Sequence, residues 1–235
     1  DSYGSRGLGD VYKRQLYASG DSTIEAVKGV NVKVNQGEMI AIMGPSGCGK
    51  TTLLNILSGI DEPTSGQVMV DEKSLFSVSD NERSRIRAQY LGFIFQDFNL
   101  LSVLSAVENV ELPLLLLGKS ATEARTTSLE ALKSVGLGER SEHRPSELSG
   151  GQQQRVAIAR AIVHSPTVIL CDEPTGNLDS ATSKSVMKLL KTINEKIGTT
   201  FLLVTHDGEV AKQCSRVLRM EDGIIVSDER GQEEE

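Results

Sequence analysis

The stretch Met39-Ile40-Ala41-Ile42-Met43-Gly44-Pro45-Ser46-Gly47-Cys48-Gly49-Lys50-Thr51-Thr52-Leu53-Leu54-Asn55-Ile56-Leu57 decides the fold of this chain. Met39 to Ile42 form a short apolar run without alternation, the pattern of a strand buried on both faces of a parallel sheet. From Lys50 onward, Leu53, Leu54, Ile56 and Leu57 share one helical face until Gly59. Between strand and helix lies G-x-x-x-x-G-K-[ST], in the context that this motif needs to bind phosphate. Glycine reaches the positive φ values that let backbone N–H groups converge on an anion, and the helix start adds partial positive charge there. Lys50 supplies a full charge, the Thr51 hydroxyl can ligate Mg²⁺, and Thr52 can add a phosphate hydrogen bond. Cys48 reads as a small filler inside the loop; the alternative is a thiol activated by the helix start and Lys50.

Working outward, Val168 to Cys171 and Phe201 to Val204 are two further apolar runs with the look of central strands. An amphipathic helix from about Ser180 to Ile197 lies between them, and a strand, a turn at Gly37 and a strand cover Val30 to Met43. The economical reading is an α/β fold with a mixed, mostly parallel sheet. From Ser105 to His143 helix formers dominate, which predicts an inserted helical subdomain; most of its apolar stretch, Leu112 and Leu114 to Leu117, is expected in the core, with its edge near Gln96 as a dock for a partner. The expected division is an unassigned leader at 1–15, a nucleotide-binding core at 16–95 and 165–227, a helical subdomain at about 96–164, and a solvated acidic tail at 228–235.

Composition limits the function classes. The chain has 235 residues, 38% of them hydrophobic, and its net charge of −7 argues against a broad non-specific grip on nucleic acid. Its three cysteines, Cys48, Cys171 and Cys214, are widely spaced and form no metal-ligand pattern, so they read as reduced thiols. No apolar run approaches the roughly 18 residues of a membrane span. If the protein works at a membrane, something else crosses it.

A phosphate loop alone does not choose between kinase, GTPase, helicase and transport ATPase. Asp172 ends an apolar run, where a carboxylate at a strand's C-terminal edge can hold Mg²⁺, and Glu173 diverges from it and can accept a proton from an attacking water. The structural alternative for that pair is a helix cap or solvated turn. His206 follows the run Phe201 to Val204, so parallel wiring would bring it to the edge that holds Lys50 and Asp172, in reach of a γ-phosphate. Gln96, after Phe93-Ile94-Phe95, can ligand Mg²⁺ or position water with its amide. Leu148-Ser149-Gly150-Gly151-Gln152, opening a helix that continues to Arg160, makes a second anion cradle and decides the class.

With these strings in this order, the sequence from about Leu16 to Val226 resembles the ATP-binding subunit of an ABC transporter. The finer strings Asp172-Glu173-Pro174-Thr175-Gly176-Asn177-Leu178-Asp179 and Phe93-Ile94-Phe95-Gln96 resemble the branch of lipoprotein-releasing, macrolide and antimicrobial-peptide exporters and the cell-division ATPase FtsE. The resemblance implies that Tyr17 stacks on adenine and that Gly44 to Thr52, with Asp172 and Gln96, hold ATP and Mg²⁺. It implies that Glu173 is the general base, that Gln96 and His206 sense the γ-phosphate, and that Asp179 lies at a dimer contact. It further implies that Ser149, Gly150, Gly151 and Gln152 act in trans, in an ATP-dependent head-to-tail homodimer. The implied setting is the cytoplasmic face of a membrane, on an integral permease. Two rivals remain at this point: a P-loop kinase of a small metabolite, against which Ser149 to Gln152 and His206 count, and FtsE-like service to a division complex.

Overall fold

The computed structural model describes residues 11–19 and 22–230, with side chains from Ala26 onward. A sheet of six strands forms the centre, in the order β11-β10-β3-β9-β8-β7: β3 (Met39–Met43), β7 (Leu91–Phe95), β8 (Val168–Asp172), β9 (Thr200–Thr205), β10 (Arg216–Glu221) and β11 (Ile224–Arg230). All its pairings are parallel except β10 with β11. The apolar runs of the sequence are explained by two cores, one on each face. Met39, Ala41, Ile169, Cys171, Phe201 and Leu203 belong to one, and Ile40, Ile42, Val168, Leu170, Leu202 and Val204 to the other. Successive side chains alternate between faces, so a strand covered on both sides has no polar positions to spare.

The first core is closed by α3 (Ala106–Leu116), α5 (Gly150–Ile162) and α6 (Ser180–Ile197), with α4 (Ala121–Ser134) packed on α3 and α5. The second is closed by α1 (Lys50–Leu57) and α2 (Asp80–Tyr90). α6 has the expected bounds because its ends are marked: Asp179 Oδ1 accepts from the amides of Ala181 and Thr182, both at 3.0 Å, and Gly198 ends the helix at φ 66°. β1 (Val11–Ser19) pairs antiparallel with β2 (Ser22–Val32) and with β4 (Ser65–Gln67), forming an N-terminal antiparallel layer; β5 (Met69–Val70) and β6 (Lys73–Ser74) make a small hairpin.

Three expectations are revised. The backbone of residues 11–15, grouped with the leader by their lack of period, runs within β1, where Tyr12, Lys13 and Arg14 stand opposite Gln67, Gly66 and Ser65. The acidic tail begins inside β11: Asp228 Oδ1 and Oδ2 accept from Arg216 Nε and Nη2, both at 2.7 Å, and Arg216 Nη1 also donates to the Lys33 carbonyl at 2.8 Å. The buried Arg216 fork thereby ties the sheet's edge hairpin to the turn before β3. Finally, the leucine stretch is not mostly core. Leu114 is buried, but Leu115, Leu116 and Leu117 are 42%, 80% and 37% exposed. The inward face of α3 is set by Val107, Val110 and Leu114, and the helix ends before another turn could bury its neighbours.

Candidate ATP site

The loop from Gly44 to Gly49 leaves the C-terminal end of β3 and delivers the chain into α1. Gly47 and Gly49 take φ of 78° and 99°, which a side chain would strain. Gly44 is required for space, since a Cβ there would collide with the Met220 carbonyl and crowd Cys48 Sγ. Gly49 caps α1 without any side-chain hydrogen bond, and no acidic residue occupies the first turn, so the helix start remains electropositive. Lys50 Nζ folds back over the loop and donates to the carbonyls of Gly44 and Pro45, both at 2.8 Å. Cys48 is buried in the second core, its Sγ 3.8 Å from Lys50 Nζ.

Parallel wiring brings two more strand ends to this loop. Met43 stands opposite Thr205 and Asp172 opposite Val204. The resulting cleft has a volume of about 310 Å³ and is lined by Ser46, Gly47, Gly49, Lys50, Thr51 and Thr52 on one side, Asp172, Glu173 and His206 on the other, and Ala26 and Val204. Burial, and then the Glu173 charge, raise the Asp172 pKa above the ordinary carboxylate value; Lys50 opposes them. Glu173 takes a left-handed φ of 49°, held by its N–H to the Val204 carbonyl at 3.0 Å. Its Oε1 accepts from His206 Nδ1 at 2.8 Å; Glu173 is largely sheltered at 17% side-chain exposure, and His206 reaches out at 73%.

The donor set fits Mg²⁺. Among the described residues no cluster of three or more His, Cys, Asp or Glu forms a metal cage. Asp172 and the Thr51 hydroxyl line the same cleft, which suits an ion that keeps most of its water and takes further oxygens from phosphate.

Several sequence-predicted residues lie elsewhere. Gln96 follows Phe95, which pairs with Asp172, yet it is not among the residues lining the cleft; its amide is hydrogen-bonded to Asn177. Ser149 caps α5 in a capping box, accepting from the Gln152 amide at 3.4 Å while Gln152 Oε1 accepts from the Ser149 amide at 2.9 Å. Gly150 and Gly151 open that helix, and a Cβ on Gly151 would press on Thr182 Cγ2 of α6. None of these four residues lines the phosphate cleft of its own chain. The Tyr17 side chain lies outside the described residues. Sequence reasoning missed Ala26 and Met220, whose carbonyls bound the loop where Gly49 and Gly44 approach, because backbone walls leave no motif.

A sequence model of the ABC transporter family matches residues 27–176, more than half of the chain. The chain belongs to the ABC transporter family. Within that family it is an ATP-binding, ATP-hydrolysing subunit. It is 47% identical to the lipoprotein-releasing system ATP-binding protein LolD of Alcanivorax borkumensis over 90% of this chain and 92% of that one. It is 45% identical to the macrolide export ATP-binding/permease protein MacB of Syntrophobacter fumaroxidans, over 90% of this chain but 30% of that longer protein. Its fold matches that of the ATP-binding cassette MJ0796 of Methanocaldococcus jannaschii with a TM-score of 0.87, at 44% identity over 95% of this chain and 98% of that one; that structure is a dimer in a post-hydrolysis state bound to ADP and Pi. LolD and MacB agree with the exporter branch named from Phe93 to Gln96 and from Asp172 to Asp179. Among the described residues no helix is long and apolar enough to cross a membrane.

Proposed function

We propose that two copies of this chain close head-to-tail over ATP, each supplying the Ser149 loop to the other's phosphate cleft, and that the cycle drives a membrane permease that exports a lipoprotein, peptide or macrolide-like molecule. The observation that carries this reading is the separation of the two loops. Lys50, Thr51, Asp172, Glu173 and His206 share one cleft, whereas Ser149 to Gln152 open a helix that does not reach it. A second copy is the simplest source of the missing wall, in keeping with the dimeric state of the MJ0796 cassette.

In this reading Lys50 and the amides of Gly47 to Thr51 bind the phosphates, and Thr51 and Asp172 hold Mg²⁺, which supplies charge neutralisation when bound. His206 Nδ1 fixes Glu173 Oε1, leaving Oε2 to take the proton of an attacking water. Gln96 enters to orient that water or the metal. ATP binds the closed pair better because only there does the second loop add contacts, so binding shifts the population and hydrolysis reverses it.

The permease is proposed to dock in a groove of about 430 Å³ between α2, β7, α3 and α5, where Phe93, Phe95, Leu112 and Leu116 form an apolar wall beside Arg87 and His164. This continues the sequence expectation of a dock near Gln96 and gives the exposed Leu116 a purpose. It would also place the protein on the cytoplasmic face of the membrane through its partner. Purification from membranes tests the assignment: an integral permease is expected to copurify with the wild-type chain and to be lost with Leu116→Glu, and an unchanged yield of permease with that variant would reject the groove.

A further inference from the structure

The end of β7 and the turn that follows Glu173 are joined by a contact that the phosphate cleft does not require. Asn177 Oδ1 accepts from Gln96 Nε2 at 3.0 Å, while Asn177 Nδ2 donates to the Gln96 carbonyl at 3.2 Å and to Asp97 Oδ1 at 2.7 Å. The orientation of the Asn177 amide is dictated by its neighbours: turned over, its NH₂ would face another NH₂ and its oxygen would face two acceptors.

Gly176 completes the seat. The three heavy atoms nearest to a Cβ built there all belong to Gln96, with Nε2 at 2.9 Å, Cδ at 3.0 Å and Cγ at 3.2 Å. Gly176 is not in the left-handed region, so its missing side chain serves this close approach and not a backbone turn. Its N–H also donates to the Glu173 carbonyl at 3.0 Å, which ties the seat to the backbone of the proposed base.

Gln96 therefore has two places within reach. β7 and β8 are hydrogen-bonded neighbours, about 4.8 Å apart as strands are, and Phe95 stands opposite Asp172. The Gln96 side chain starts beside the cleft but rests over Gly176, on Asn177. Moving its amide into the cleft breaks the Nε2 bond, while the bonds to the Gln96 carbonyl and to Asp97 keep the strand end in place.

We propose that Gly176 and Asn177 form a latch that holds the Gln96 amide out of the phosphate cleft, which makes Asn177 a positioning residue for ATP hydrolysis. The inference rests on the reading of Gln96 as the group that orients water or Mg²⁺. It also gives the groove a route to the cleft, since Phe95 lines the groove and the next residue is the latched one.

The test is steady-state ATPase of the purified chain bearing Asn177→Ala or Gly176→Ala, each alone and combined with Gln96→Ala. Asn177→Ala removes the Nε2 bond together with the two bonds that Asn177 Nδ2 donates, and Gly176→Ala leaves those two in place but crowds the Gln96 amide from its seat; either is expected to raise kcat about two- to tenfold with KM for ATP moved less than about twofold, and to do nothing in the Gln96→Ala background. A role confined to shaping the turn would instead lower kcat in both backgrounds. If Asn177→Ala folds by circular dichroism, an unchanged or lower kcat, or an equal rise in the Gln96→Ala background, overturns the latch; if it does not fold, Gly176→Ala decides by the same criteria. Gln96→Ala that alone leaves kcat unaltered defeats the reading of Gln96 itself, and the latch with it.

Discussion

The loops Gly44–Thr51 and Ser149–Gln152 are both rich in glycine and both open a helix, and they differ in what satisfies their backbone amides. Gly49 offers α1 no side chain, and the helix start faces a cleft with Lys50 folded over it. Ser149 and Gln152 cap α5 reciprocally, and Gly151 is pressed against Thr182. One loop is built to take an anion from solution; the other has its Ser149 and Gln152 amides met within its own capping box and stands away from that chain's cleft. The same residue types thus give an autonomous phosphate site in one place and, in the proposed function, a contribution to a partner's site in the other.

Glu173 offers the largest effect by which to sharpen this contrast. Glu173→Gln is expected to slow turnover about 10²–10⁴-fold while nucleotide still binds, as read by phosphate release and by titration with a fluorescent nucleotide. Near-normal turnover would move the base elsewhere. Nucleotide affinity then separates the loops directly. Lys50→Ala removes a charge-assisted phosphate contact and is expected to weaken ATP binding about ten- to hundredfold, whereas Ser149→Ala changes the affinity of dilute, unpaired chains by less than about twofold. Equal losses would erase the distinction drawn between the loops.

Stability gives a smaller difference. Ser149→Ala removes a helix cap and is expected to cost about 0.5–2 kcal/mol in denaturant unfolding, and Ser149→Asn far less because its side chain also caps. No loss in the alanine variant would mean that the capping box is energetically idle. The smallest effect concerns pH. Burial and Glu173 raise the Asp172 pKa above its unfolded value, so the folded chain binds that proton more tightly and loses stability as pH rises through this range. With Mg²⁺ removed, Asp172→Asn is expected to raise Tm at pH 7 by about 1–3 °C, and to leave it unchanged where both forms of the aspartate are protonated. A lower Tm at pH 7 would show that Lys50 outweighs burial.

What the sequence reveals follows from where its signals are local. β3, β8 and β9 are legible because both faces of the sheet are covered, leaving uninterrupted apolar runs, and α6 because Asp179 and Gly198 mark its ends. The convergence of Lys50, Asp172, Glu173 and His206 follows from parallel strands ending at one edge. β1 is not legible, since Val11 to Ser19 carries no clean period. The exposure of Leu115 to Leu117 is hidden because apolar content does not say which side of α3 faces inward. The seat of Gln96 is made by residues some 80 positions away, and a long-range contact between an amide and a glycine has no periodic signature.

Mixing two inactive chains tests the central claim most directly: equimolar Lys50→Ala and Ser149→Ala proteins, combined with ATP and Mg²⁺ and verified to form mixed pairs. If the site is shared, each mixed pair carries one intact cleft facing one intact loop, and roughly a quarter of wild-type turnover should return, as symmetric pairing dictates. Turnover that stays at the level of the separate variants would contradict the account.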